Sequence, residues 1–184
     1  DATHGPEPGS RYSAPTPIRP FLEEVGRAPG KLRIALMAAS PSGTPVDPQC
    51  AEAARAAAAL CESLGHDVEE AAPALDTGAL GQAAFVMMGA SVAVELEDRA
   101  EATGIPISLD VVERVTMLFR DQGATYTARD WVRASNAVQA AALTVAAFME
   151  GYDLMLSPTL GTLPLKLGTI HLSPDDVQTF LRNV

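Results

Sequence analysis

Residues 32–40, LRIALMAAS, form a short unbroken apolar run that follows a Pro29-Gly30 turn signal and ends in a loop of Pro, Ser, Gly and Thr. Such a run suits a strand buried on both faces. Asp47 and Pro48 come next, a carboxylate N-cap followed by proline at the first helical position. The helix they open runs through AEAARAAAALCESL and stops at Gly65, where a left-handed C′ residue is expected. HDVEEAAP then reads as a second short strand, ended by Pro73. Strand, helix and strand with links this short predict a βαβ unit with a parallel pair. This places the chain in the α/β class.

The rest of the chain is arranged around that unit. Residues 1–30 carry Pro6, Pro8, Pro15, Pro17 and Pro20 and predict an extended connector, with Phe21, Leu22 and Val25 as its attachments to a core. Residues 31–184 form the α/β body. Asp76 caps a helix over residues 78–101, whose middle, AFVMMGASVAVELED, is apolar on nearly all sides and predicts burial. Gly89, Ala90 and Ser91 allow close approach to it. Tight helix packing is the plainer explanation; the functional one is that Met88 and Ser91 line a cleft. Ser108 or Asp110 starts a further helix, with Gly123 after its end. Thr127 and Asp130 predict a capping box for a long helix reaching Gly151, with Trp131 in core or interface packing. Residues 153–156 predict a short buried strand that breaks at Ser157-Pro158. Ser173 and Pro174 begin a last helix, with Asp175 and Asp176 near its positive end.

Composition excludes several roles. A formal net charge of -10 leaves no basic stripe for a nucleic-acid backbone. No apolar run approaches the roughly 20 residues that span a bilayer, so no membrane partner is expected. The start lacks the basic and apolar regions of a signal peptide, and both ends read as cuts in a longer chain. Cys50 and Cys61 fall on one predicted helix, about 16 Å apart at the usual rise per residue and well beyond disulfide reach. They read as free thiols of a reducing, cytoplasmic compartment.

Catalytic machinery is not legible. There is no G-x-S-x-G elbow. His4, His66 and His171 lie in no triad context, and no spacing of ligand residues suggests a metal. Lys31 and Lys166 both fall in loops, without the desolvated setting that a serine–lysine hydrolase requires of its base. The loop at residues 40–43 precedes a helix, yet has neither a glycine-rich fingerprint nor a P-loop lysine. No cofactor is implied.

Three segments in order resemble the amidase signature enzymes. DATHGPEPGSRYSAP is similar to that family's Asp-x-x-x-Gly-x-x-Pro segment. Residues 32–73 resemble its strand, helix, Gly-His and strand. YDLMLSPTLGTLP resembles its Tyr-Asp-x-x-Leu-x-Pro-Thr strand and loop. The resemblance implies amide hydrolysis by a serine, a cis-serine and a lysine, and an α/β/α fold with helices packed on a mixed sheet. The family's serine-rich signature, its lysine segment and its closing Asn-x-x-Gly-x-Pro match no position here, so no catalytic residue is assigned. The expectation is a middle-to-late part of an amidase that supplies scaffold and one wall of the substrate cleft. Met88, Ser91, Ser157 and Thr159 are its candidate substrate-binding residues, with Ser157 a turn or lining residue rather than a nucleophile. The partners implied are a small uncharged amide and the remainder of the amidase chain; a homodimer is compatible with this. A non-enzymatic small-ligand-binding α/β domain is the alternative, and a structural subunit of an amidotransferase-type complex is a third reading.

Overall fold

The structure is a computed structural model that describes residues 5, 8–10, 12 and 14–168. The expected last helix from Ser173, and His4 and His171, lie outside the described residues.

The βαβ unit forms as its punctuation dictates. β1 (Arg33–Leu36) buries Ile34, Ala35 and Leu36 in succession, as a strand covered on both faces must. α1 (Pro48–Ser63) starts where the Asp47 carboxylate accepts the Gln49 N–H at 2.8 Å. It ends at Leu64, and Gly65 takes φ 93°, a turn open to glycine at no steric cost. β2 (Asp67–Glu70) pairs parallel to β1, Ile34 opposite Val68. Leu36, Ala38, Ala54 and Ala58 close the core between β1 and α1, with Val68 and Leu156 packed against it. Cys50 and Cys61 are both on α1 and both free.

Three helices follow before the chain returns to the sheet. α2 (Thr77–Thr103) is capped by Asp76 and closed by Gly104 in the left-handed region. α3 (Arg114–Gly123) begins later than Ser108 or Asp110. The N–H groups of Val111 and Val112 both turn back onto the Ser108 carbonyl, and Glu113 is extended, so one isolated turn precedes the helix. Gly123 closes the helix from inside rather than following it. α4 (Ala128–Met149) opens on the complete Thr127–Asp130 capping box. β3 (Leu154–Leu156) then adds to the other side of β1, giving a parallel sheet of order β2-β1-β3 among the described residues.

α3 and α4 each pack on α2, and α2 and α4 close a second small core of Ala83, Val86 and Ala134. α2 and α3 meet at Gly89 and Gly123, backbone against backbone. Tight packing at Gly89 is therefore real, but the expected burial of α2 is not. Phe85, Met88 and Val94 are 46%, 45% and 58% exposed, because α3 and α4 cover only its small-residue side. By length and composition α2 is also apolar enough to cross a membrane, contrary to the expectation that no segment approaches that length; counting consecutive apolar residues overlooked the intervening Gly and Ser.

Other expected burials also fail. Leu154 and Met155 of β3 are 50% and 41% exposed; Trp131, expected in core or interface packing, is 40% exposed and so lies outside the core. Phe21, Leu22 and Val25 stay largely exposed around a short 3-10 turn, Phe21–Glu24. Patterns of apolar residues mark surfaces that want cover; within these residues much of that cover is missing.

Candidate functional site at the carboxyl end of the sheet

β1 lies between two neighbours reached in opposite directions, β2 through α1 and β3 through α2, α3 and α4. The carboxyl ends of β1 and β3 therefore flank a topological switch point, where the loops diverge and leave a crevice. The loop after β1 and the loop after β3 are clasped there. The Met37 N–H donates to the Leu156 carbonyl at 2.8 Å, and the Asp47 N–H donates to the Gly161 carbonyl at 2.8 Å. Asp47 thus starts α1 with its side chain and fixes the second loop with its backbone.

Between these loops lies a cleft of about 170 Å³, with Met37, Ser40, Val46, Ser157, Pro158 and Gly161 on its walls. A second groove of about 360 Å³ runs along α1, bounded by Cys50, Ala54, Leu156 and the loop from Ser157 to Pro164. Ser157 and Pro158 line both; Thr159 lines the second. Met88 and Ser91 sit three residues apart on the exposed side of α2, and neither cleft takes a residue from that helix. The structure thus brings Ser157 and Thr159 together and leaves Met88 and Ser91 elsewhere.

The chemistry on these walls is limited. Among the described residues no Lys, Arg, His, Asp or Glu lines either cleft. Ser40, Ser42 and Thr44 bond one another through their hydroxyls at 2.8 Å for each link. A serine needs an adjacent base to become a nucleophile, and none lines these walls. Small hydroxyls on an apolar surface suit an uncharged ligand. The 170 Å³ cleft falls below the roughly 300 Å³ at which ligand pockets begin, and the adjoining groove of 360 Å³ lies just above it. Lys31 is paired with Asp67 at 2.8 Å. His66 accepts the Leu32 N–H on Nδ1 at 3.2 Å, at the end of the sheet away from the clefts. Among the described residues no three His, Cys, Asp or Glu side chains come together to hold a metal.

The structure gives the Tyr-Asp pair before β3 a physical role that sequence reasoning missed. The Tyr152 hydroxyl donates to Glu69 on β2, which raises the Tyr152 pKa. Asp153 accepts from the Arg33 N–H at 2.8 Å and from its guanidinium at 3.1 and 3.3 Å. The residues entering β3 are thereby tied to the start of β1 through Arg33 and to β2 through Glu69. The only signal in the sequence was the Tyr-Asp dipeptide itself; its partners lie 83 and 120 residues away.

The Arg33 side-chain bond, then its backbone N–H, holds the Asp153 carboxyl below the usual carboxylate range. A depressed folded-state pKa means this stabilisation is fully present above the unfolded value of about 3.9 and is lost as pH falls through the folded one. The stability difference between the native chain and Asp153→Asn should therefore shrink steadily below about pH 4 in urea melts. A difference that is flat from pH 6 to about pH 2 would refute the tie to Arg33. Asp130, whose pKa is lowered by the Thr127 hydroxyl and backbone bonds, titrates in the same sense in both proteins and cancels.

A family model described as Amidase matches residues 1–184, so an α/β chain with a hydroxyl-lined cleft at its switch point belongs to the amidase family. It is 32% identical over 180 residues to the 6-aminohexanoate-cyclic-dimer hydrolases of a Pseudomonas species and of Paenarthrobacter ureafaciens, covering 94% of this chain and 36% of each relative. A putative amidase of Synechocystis is 33% identical over 178 residues, covering 96% of this chain and 32% of that one. The solved structure of 6-aminohexanoate cyclic dimer hydrolase complexed with substrate superposes with TM-score 0.85 at 31% identity, over 95% of this chain and 37% of that one. A bacterial aryl acylamidase of the amidase signature family superposes with TM-score 0.65 at 17% identity, a likeness of fold. The chain spans about a third of the length of these relatives.

Proposed function

We propose that this chain works as part of a longer cytoplasmic amide-bond hydrolase, giving it scaffold and one wall of the substrate cleft. The nucleophilic serine, the second serine and the lysine base come from outside these residues. The observation that carries this reading is the family match over residues 1–184 set beside relatives of which only 36% is covered. The substrate is an uncharged amide, in keeping with cleft walls that carry hydroxyls and no charged side chain. Ser157 and Thr159 are the wall residues favoured by position; Met88 and Ser91 would contribute from the exposed side of α2 once another segment lies against it. Two free thiols suit a reducing compartment.

Hydrolysis assays with 6-aminohexanoate cyclic dimer and a simple anilide test the reading. The 184-residue chain should give no turnover above buffer, and the parent protein should hydrolyse at least one amide. Enzyme-like turnover by the 184-residue chain, abolished by Ser157→Ala, would overturn the assignment of the nucleophile to another segment.

A further inference from the structure

Residues 157–160 form a partition between the two cavities at the carboxyl end of the sheet. Ser157 and Pro158 line both, Val46 stands on the cleft side and Cys50 on the groove side. No backbone N–H or C=O of residues 157–160 bonds another described residue, so hydrogen bonds hold the partition only at its ends. One end is the Leu156 carbonyl, which accepts the Met37 N–H at 2.8 Å and continues the pairing of β1 with β3. The other is the Gly161 carbonyl, which accepts the Asp47 N–H at 2.8 Å. The Asp47 carboxylate accepts the Gln49 N–H at 2.8 Å and its carbonyl accepts the Ala51 N–H at 3.1 Å. Asp47 is thus tied twice to the first turn of α1 while its N–H faces the partition.

We propose that Asp47 is a positioning residue for amide binding: by holding Gly161 it sets where Ser157 and Thr159 stand, and so how tightly the amide is held. The inference rests on the reading of these cavities as a substrate wall of a longer amide hydrolase. Asp47 lines neither cavity, so its effect passes through residues 157–161. Loss of the carboxylate removes one of the ties to α1, and the N–H is no longer aimed at Gly161. The partition then samples several positions, and binding is weakened in proportion to the fraction that stays competent. Once the amide is seated, the chemistry supplied from outside these residues is unchanged, so the loss falls on KM rather than kcat.

Steady-state kinetics of the full-length parent protein on 6-aminohexanoate cyclic dimer and on a simple anilide test this. Asp47→Ala should raise KM about tenfold and leave kcat within about twofold for whichever amide is hydrolysed. Asp47→Asn should restore the native KM, since an asparagine oxygen caps as well as a carboxylate. Asp47→Gly weakens a helix start far less than alanine does and should raise KM as Asp47→Ala does, which guards against a variant that fails to fold. Ala59 is exposed on α1 and lines neither cavity. Ala59→Gly weakens the same helix without touching Asp47, and its KM should stay native. A loss of folded protein alone lowers the apparent kcat and leaves KM as it was. A KM within about twofold of native in both Asp47→Ala and Asp47→Gly overturns the inference. So does an equal rise in Ala59→Gly, or an Asp47→Asn variant that keeps the high KM. A parent protein that hydrolyses neither amide sinks the functional reading and this inference with it; an active parent with native KM in the Asp47 variants sinks this inference alone.

Discussion

A methyl group added at Gly123 is expected to lower the melting temperature by roughly 6–12 °C, the consequence of about 3 kcal/mol lost. The cause is a backbone collision. A Cβ at Gly123 would stand 1.9 Å from the Gly89 carbonyl oxygen and 2.2 Å from its carbon, in the middle of α2. No rotamer change relieves this, because the obstructing atoms belong to a helix ladder. α2 and α3 must separate, which opens the contacts on either side of them. Gly89→Ala is the milder change: its nearest neighbours would lie at 3.2 Å, one of them the Tyr126 ring, which can shift. Gly81→Ala supplies the control. It meets nothing within 4 Å on the same helix, and alanine there should stabilise by about 0.5–1 kcal/mol through helix propensity. Circular-dichroism melts of the three variants should rank Gly81→Ala above native, then Gly89→Ala, then Gly123→Ala. A Gly123→Ala melt within about 1 °C of native would show that the two helices do not meet as described.

Leu36→Ala is the change expected to cost most in the sheet, about 3 kcal/mol. Leu36 is 7% exposed and is the largest side chain buried between β1 and α1. Its neighbours Ala38, Ala54 and Ala58 are already small and cannot move in to fill the space. Val68→Ala should cost less, since Val68 is only half-buried. The core around Leu36 shares no residue with the one around Val86. The losses from Leu36→Ala and Gly123→Ala should therefore add to within about 0.5 kcal/mol in urea melts of the double variant. A double variant far more stable than the sum would mean that one substitution had already released the other unit.

Local chemistry was legible wherever it acts over a few residues. Asp47-Pro48, Gly65 and the Thr127–Asp130 box name their own positions, because a cap needs only the next turn of backbone. The start of α3 was not legible. Ser108 and Asp110 are both good caps, and only the fold of Glu113 into an extended conformation decides against them. Burial of β3 and of the outer side of α2 was misjudged for one reason. An apolar pattern reports that a surface requires cover, and it does not say whether these residues supply it. Ser157 and Thr159 follow a strand break and share a groove, while Met88 and Ser91, chosen by the position of their small-residue helix segment, lie on the exposed side of α2.

The run at residues 32–40 with the helix and strand after it determined the α/β class, since parallel strands joined through a helix admit few arrangements; the likeness to the amidase family was carried by three motif segments in order, and the family match bears it out. Only the tertiary structure decided that β1 is central, that Tyr152 and Asp153 tie the entry of β3 to β2 and β1, and that Leu154 and Met155 of β3 are left exposed. The physical reason is range. Caps, turns and periodicity are settled within a turn of helix or a few residues of strand; strand order and edge exposure depend on partners that the sequence separates by up to 120 residues.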